Sequence, residues 1–300
     1  MKIGFALPQY HKQALGIART AEFARKVEEA GAASLWVSDR NLAAVNPKIG
    51  YGGQGNTIPA ELNLAADPFV LLGIAASATE RVLLGTHVLI APLYPPVQLA
   101  RSLTSIDLIS EGRLLPGFGI GWSPEEYEAA GTDFTRRGAR MNELLDALDA
   151  IWTTDPAQYS GELISVPLHH SLLKPAQRPR PPFYLGALSE RALRRVAERG
   201  DGWLPLVVVP SYVDIDGLVS QQATIDRLAR EADRDPSAID AILRVNIDAD
   251  TTTQQVADVI KAVHERTGIE HFMVDSMYAV PSVDGSIAHA AELIALVEKG

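Results

Sequence analysis

The feature that most constrains this chain is a rhythm. Short β-rich runs alternate with amphipathic stretches from one end to the other. The runs are "KIGFALP", "SLWVSD", "RVLLGTHVLIAP", "RLLPGFGIG", "FYLGAL", "DGWLPLVVV", "AILRVNIDA" and "HFMVDSM". Stretches with apolar residues at helical spacing follow them, among them "GIARTAEFARKVEEAG", "PPVQLARSLTSIDLISEG", "SERALRRVAERG" and "TTQQVADVIKAVHERT". The third run is apolar almost throughout, as a strand covered on both faces should be. Strands separated by helices pair in parallel, because a parallel return needs a long crossover. Eight near-equal units predict an α/β chain folded as a (β/α)8 TIM barrel, one domain over residues 1–300. An open doubly wound sheet is the alternative, and it does not usually need eight such units.

Punctuation refines this outline. "DPFVLLGIAASATE" reads as a helix capped by Asp67, with Pro68 in its first position. Residues 42–64 hold glycines and prolines that no helix interior would keep, and residues 153–181 read as an irregular excursion rich in proline and histidine. Insertions after the second, fourth and sixth strands leave from strand C-terminal ends, where a barrel builds its active site.

Composition closes off several functions. A net charge of −10 argues against nucleic acid as a partner. The absence of cysteine removes disulfides, thiolate metal sites and thiol nucleophiles. No stretch approaches the ~18 apolar residues of a membrane span, so the expectation is a cytoplasmic protein. His169 and His170 are adjacent, their side chains point apart, and no HxH or HExxH occurs, so no metal site is expected.

The fourth run carries glycines at alternate positions, Gly117, Gly119 and Gly121. This GxGxG is not the GxGxxG dinucleotide fingerprint. Alternation by two clears one face of a strand, so something else must occupy that face. A bulge or tight strand packing would do so, and so would a ligand.

Three segments together resemble one family. "LGTHVLIAPLYPPVQLARSLTSIDLISEGRLLPGFGIGW" is similar to the central signature of the bacterial luciferase-like monooxygenase superfamily. "SLWVSD" before it and "YLGALSERALRRVAERGDGW" after it fit in order and spacing. The resemblance covers most of residues 1–206 and is weak beyond. It implies a barrel that holds FMN or the deazaflavin F420 at its C-terminal face, with the flat ring in the space left by the glycine strand.

Four places then become candidate sites. Asp39 and Arg40 end the second strand, where they read either as working groups or as a surface ion pair. The family often has histidine after the acid as proton donor or acceptor. Arginine stays charged and cannot shuttle protons near neutral pH, so Arg40 would orient or stabilise an anion. Thr86 and His87 interrupt the apolar third strand, and a strand histidine bonded within the structure is the plainer reading. The family implies a non-proline cis peptide between His87 and Val88, in a bulge behind the ring. Past Gly119 and Gly121 stand Trp122 and Glu125, over the barrel mouth, where they could equally plug a loop and open a helix. Trp122 departs from the carboxylic acid of the deazaflavin sugar-phosphate dehydrogenases and from the arginine of luciferase. Gly186, Ala187, Leu188 and Ser189 join a strand to a helix; Ser189 is a plain N-cap or part of an anion site. The family places the cofactor phosphate there.

The sequence therefore predicts a hydride-transferring oxidoreductase that uses F420 on a small organic substrate. An FMN-dependent monooxygenase fed by a separate reductase is the alternative, and a non-catalytic flavin-binding protein is an alternative of another class. The family implies a homodimer.

Overall fold

The computed structural model describes residues 1–53 and 55–298. Its strands are β1 (Lys2–Ala6), β2 (Ser34–Val37), β3 (Leu83–Thr86), β4 (Leu89–Ile90), β5 (Leu114–Leu115), β6 (Gly117–Gly119), β7 (Ala157–Ser160), β8 (Ser165–His169), β9 (Tyr184–Gly186), β10 (Gly202–Leu204), β11 (Leu206–Val209), β12 (Asp240–Ile247) and β13 (His271–Asp275). The helices are α1 (Thr20–Glu29), α2 (Pro68–Ala78), α3 (Pro96–Ile109), α4 (Pro124–Ala129), α5 (Arg137–Thr153), α6 (Glu190–Arg199), α7 (Ile215–Glu231), α8 (Thr253–Thr267) and α9 (Val283–Glu298).

One curled parallel sheet runs β4-β6-β9-β10-β12-β13-β1-β2-β3-β5, with β11 also paired to β12. Three of the eight runs are split within themselves. "RLLPGFGIG" breaks at Pro116, and "DGWLPLVVV" breaks at Pro205. Proline has no N–H to give the ladder. The third run breaks at His87–Val88, whose peptide bond is cis, as the resemblance implied.

Helices cover the outer face of the sheet, and strand and helix side chains share one large apolar core there. A second cluster fills the inner face: Trp36, Leu115, Tyr184, Leu204, Ile242 and Met273. Trp36 lies flat against Gly85, where any Cβ would overlap its ring. Its indole N–H donates to Ser34 Oγ at 2.7 Å, and Ser34 Oγ lies 2.7 Å from His271 Nε2. The inner face is thus closed by packed side chains below and left open at the strand C-terminal ends.

Asp67 caps α2 as its sequence suggests, accepting from the Val70 N–H at 2.9 Å. Residues 153–181 correct the expectation of an irregular excursion, because β7 and β8 pair there as an antiparallel hairpin. Ala157, Ile164 and Val166 turn inward, and the Glu143 carboxylate of α5 gathers the N–H groups of residues 162–164. No helix among the described residues is long and apolar enough to cross a membrane.

Candidate active site

A cavity of about 540 Å³ opens at the C-terminal ends of the strands. That is within the ~300–1,000 Å³ of typical small-molecule sites. Nearly every strand position contributes: Tyr10 after β1, Asp39 and Arg40 after β2, Val88 before β4, Trp122 after β6, Ser189 after β9, Val208 on β11, Arg244 on β12 and Met277 after β13. A larger groove of about 740 Å³ lies around the start of β12 and the segment just before β13, away from these groups, and its wall is polar and open to solvent.

Tight strand packing, one of the occupants that the alternation left open, takes the space beside the glycine strand. A Cβ on Gly117 would overlap the Thr86 carbonyl, one on Gly119 would overlap Val88 Cγ2, and one on Gly121 would fall 2.6 Å from Ile90 Cγ2. Gly186 on β9 brings its Cβ position to 3.3 Å from Val88 Cγ1. The glycines therefore seat the interrupted strand beside them, and Val88 rests between β6 and β9. Thr86 clips the same seam, since its hydroxyl accepts from the Gly117 N–H and donates to the Gly117 carbonyl, both at 2.7 Å. Val88 presents an apolar shelf to the cavity, and Gly119, Gly121 and Gly186 line the wall beside it.

Beside that shelf stands Asp39. Its Oδ2 accepts from the Ile90 N–H at 2.9 Å and from the Tyr94 hydroxyl at 2.8 Å. Its Oδ1 is buried with no partner among the described residues. Burial pushes this carboxyl above its usual range, against the two donated bonds. Arg40 lies with its guanidinium carbon 4.7 Å from the centre of the Trp122 ring. Glu126, buried on α4, approaches Arg40 Nη1 at 3.8 Å and accepts from the Asn41 N–H at 2.8 Å. Burial pushes Glu126 upward as well. Among the described residues, five of the seven buried polar atoms without a partner belong to Asp39, Arg40, His87 and Glu126. Such atoms are rare in native interiors, so their gathering at one place points to a ligand or to function.

Arg244 on β12 ties its own strand to the ends of β2, β3 and β13. It donates to Ser38 Oγ at 2.6 Å, to Asn246 Oδ1 at 2.7 Å, to Asp275 Oδ2 and to the His87 carbonyl. His87 itself is wholly buried, and burial lowers its imidazole to about 3. It is a neutral wall group at ordinary pH.

The last wall is the turn into α6. The N–H groups of Leu188, Ser189, Glu190 and Arg191 donate to no backbone acceptor among the described residues. Ser189 occupies the N-cap position, yet its hydroxyl makes no capping bond. A helix start with free N–H groups and positive dipole charge is suited to an anion.

The model of the luciferase-like monooxygenase family matches residues 1–294. The chain belongs to that family. An uncharacterized protein of Mycobacterium tuberculosis is 32% identical over 199 residues, covering 65% of this chain and 69% of that protein. A phthiodiolone/phenolphthiodiolone dimycocerosates ketoreductase of the same species is 30% identical over 215 residues, covering 70% of this chain and 55% of that one. Three solved structures share the fold at low identity. The monooxygenase RslO1 from Streptomyces bottropensis has a TM-score of 0.79 at 18% identity, covering 98% of this chain and 99% of its own. An F420-dependent secondary alcohol dehydrogenase, in complex with an F420-acetone adduct, has 0.77 at 18% identity, covering 99% and 98%. The oxygenating constituent of 3,6-diketocamphane monooxygenase from Pseudomonas putida, in complex with FMN, has 0.65 at 16% identity, covering 89% and 74%.

In this luciferase-like chain the cavity brings together Asp39, Arg40, His87, Val88, Gly119, Gly121, Trp122 and the run from Gly186 to Ser189. Thr86 and Glu125 stand outside its wall. Thr86 serves the strand seam, and the Glu125 carboxylate is taken up by the Lys48 N–H at 2.7 Å and the Ser123 hydroxyl at 2.9 Å. Sequence reasoning missed Arg244, Asp275 and Glu126. A charged residue inside the apolar run "AILRVNIDA" was the available signal for the first.

Proposed function

We propose that this luciferase-like protein is an F420-dependent oxidoreductase that passes a hydride to or from a small organic substrate at the strand C-terminal ends. The scaffold of the proposal is a closed eight-stranded barrel. Supporting it, β3 pairs with β5 and β4 pairs with β6, so the two ends of the sheet order are halves of adjacent split strands. The observation that carries the function is one cavity with two unlike ends. Partner-free N–H groups at the start of α6 follow Gly186, which packs against Val88, and the buried Asp39 carboxyl holds the Ile90 N–H, two residues along from Val88.

A flavin-type cofactor fits these residues. Val88 offers an apolar shelf for a flat ring, and Ser189 with the N–H groups after Gly186 would hold a phosphate. When bound, F420 would supply two-electron hydride chemistry. Asp39 would hold the accompanying proton at Oδ1, because Ile90 and Tyr94 already occupy Oδ2. Arg40 would fix an oxygen of the substrate, and His87, neutral and buried, would close the wall against water. The family likeness to a ketoreductase and the shared fold of an F420-dependent alcohol dehydrogenase support this choice. The fold shared with RslO1 and with an FMN-bound oxygenating protein supports a second reading, an FMN monooxygenase with a separate reductase.

A homodimer belongs to the same proposal. Helix α2 reads "PFVLLGIAASA", apolar on its outer as well as its inner side, with Val70 57% exposed. Titrating the purified protein with F420 and with FMN, followed by absorbance, tests the cofactor. F420 is expected to bind more tightly, with little oxygen consumed when reduced FMN is supplied. Tight FMN binding with rapid oxygen uptake would reverse the choice, and no binding of either would defeat the enzyme reading.

A further inference from the structure

Arg40 is buried without the bonds that a buried guanidinium needs. Its side chain is 5% exposed. Nε and Nη2 have no partner among the described residues, and Nη1 reaches only Glu126, at 3.8 Å. An unsatisfied charged donor away from water is costly, so this arrangement is complete only with an acceptor. The orphaned pair is not an arbitrary one. Nε–H and one Nη2–H lie on the same edge of the guanidinium plane, the edge that grips a carboxylate with two parallel bonds.

Each neighbouring acid has one oxygen engaged and one without a partner, Asp39 Oδ1 and Glu126 Oε2, and neither free oxygen bonds the Nε/Nη2 edge. Asp39 Oδ2 serves Ile90 and Tyr94, and Glu126 Oε1 serves Asn41. Burial raises both carboxyls, and a guanidinium stays charged in any surroundings. Arg244, the other guanidinium of the wall, is fully engaged with Ser38, Asn246, Asp275 and the His87 carbonyl. The start of α6 offers the phosphate of a cofactor its own donors, so Arg40 is not needed there. The wall also carries apolar side chains, among them Leu62, Leu206, Val208 and Met277.

We propose that the Nε/Nη2 edge of Arg40 receives the carboxylate of the substrate, so that this protein acts on organic acids with an apolar body. The proposal rests on the cavity being the active site argued above, and it names the substrate class of that site. Trp122, in contact with Arg40, supplies a fluorescence signal that needs no turnover.

The test compares benzoate with benzamide, nearly equal in shape and unlike in charge. Each is titrated into the wild-type protein, Arg40→Gln and Arg40→Lys, with and without bound cofactor. The wild type is expected to bind benzoate at least tenfold more tightly than benzamide. Arg40→Gln should bring the two within about twofold, and Arg40→Lys, which keeps charge without the fork, should fall between. Equal binding of both probes by the wild type, or binding of neither, overturns the proposal whether or not the variants fold. Discrimination that survives in Arg40→Gln overturns it too, by placing the anion elsewhere. FMN and riboflavin are titrated in parallel. If Arg40→Gln abolishes a preference for FMN over riboflavin, the fork belongs to the cofactor phosphate and the substrate assignment falls. Cofactor binding without benzoate discrimination defeats this inference alone, and benzoate discrimination without cofactor binding defeats only the hydride-transfer reading.

Discussion

Val88 is seated where two strands give up their side chains, and that seat can be tested one methyl group at a time. A methyl added at Gly119 must displace Val88 Cγ2. Overpacking of this kind costs about 1–3 kcal/mol, so Gly119→Ala should lower the urea midpoint clearly. Val88→Ala in the same chain should recover much of the loss, with a coupling of about 1 kcal/mol or more in a double-mutant cycle. Simple additivity would mean that the two residues do not share the space. A second prediction concerns protons. Burial lowers His87 to about 3 and His271 to about 4 in the folded protein. The unfolded value lies near ~6.5. Below that pH the unfolded chain takes up protons that the folded chain refuses, so stability falls as pH falls, through the window from ~6.5 down to the folded values. Each histidine contributes at most ~1.4 kcal/mol per pH unit there. His271→Gln removes one of them, so urea unfolding between pH 6 and 4.5 should show a slope shallower by about 1 kcal/mol per pH unit. An unchanged slope would contradict the assignment.

The long loop after β2 is held over the cavity by α4 and by Trp122. Lys48 gives its N–H to Glu125 at 2.7 Å and its ammonium to Glu128 at 3.1 Å, and Tyr51 meets Trp122 edge-on at 5.7 Å between ring centres. Glu125→Ala should release this segment, seen as faster tryptic cleavage after Lys48 with an unchanged circular dichroism spectrum. Cleavage at the wild-type rate would show that the other contacts suffice. Elements of this kind were only partly legible in the sequence. The eight strand runs were readable because burial on both faces leaves unbroken apolar stretches such as "RVLLGTHVLIAP". The β7–β8 hairpin was not, because its strands are short, Pro167 and two histidines interrupt the alternation, and Glu143 supplies part of the hold from another element. The seating of Val88 was hidden for a related reason. Gly119 and Gly186 announce an empty face, but what fills it is a tertiary fact set by residues far away in sequence. Likewise Glu125 and Glu126 look alike in "SPEEY", and only the turn of α4 sends one toward Lys48 and the other beneath Arg40.

At the scale of the whole molecule, the outer side of α2 and the cavity at the strand ends carry the remaining expectations. A helix that is apolar all round belongs in an interior, and Val70 of α2 is exposed in the single chain. Val70→Asp should therefore convert a dimer to a monomer in sedimentation velocity while leaving secondary structure intact; a wild-type protein that sediments as a monomer would contradict the pairing. In the proposed function the cavity holds a flavin-type cofactor with its phosphate at the start of α6. The most direct test of that reading is the affinity of wild type and Ser189→Ala for FMN and riboflavin, or for F420 and its dephosphorylated form. The wild type should prefer the phosphorylated molecule. Ser189→Ala should weaken that molecule by about 1 kcal/mol, several-fold in affinity, and leave the phosphate-free one unchanged. Equal losses for both, or no preference for the phosphate in the wild type, would contradict the account.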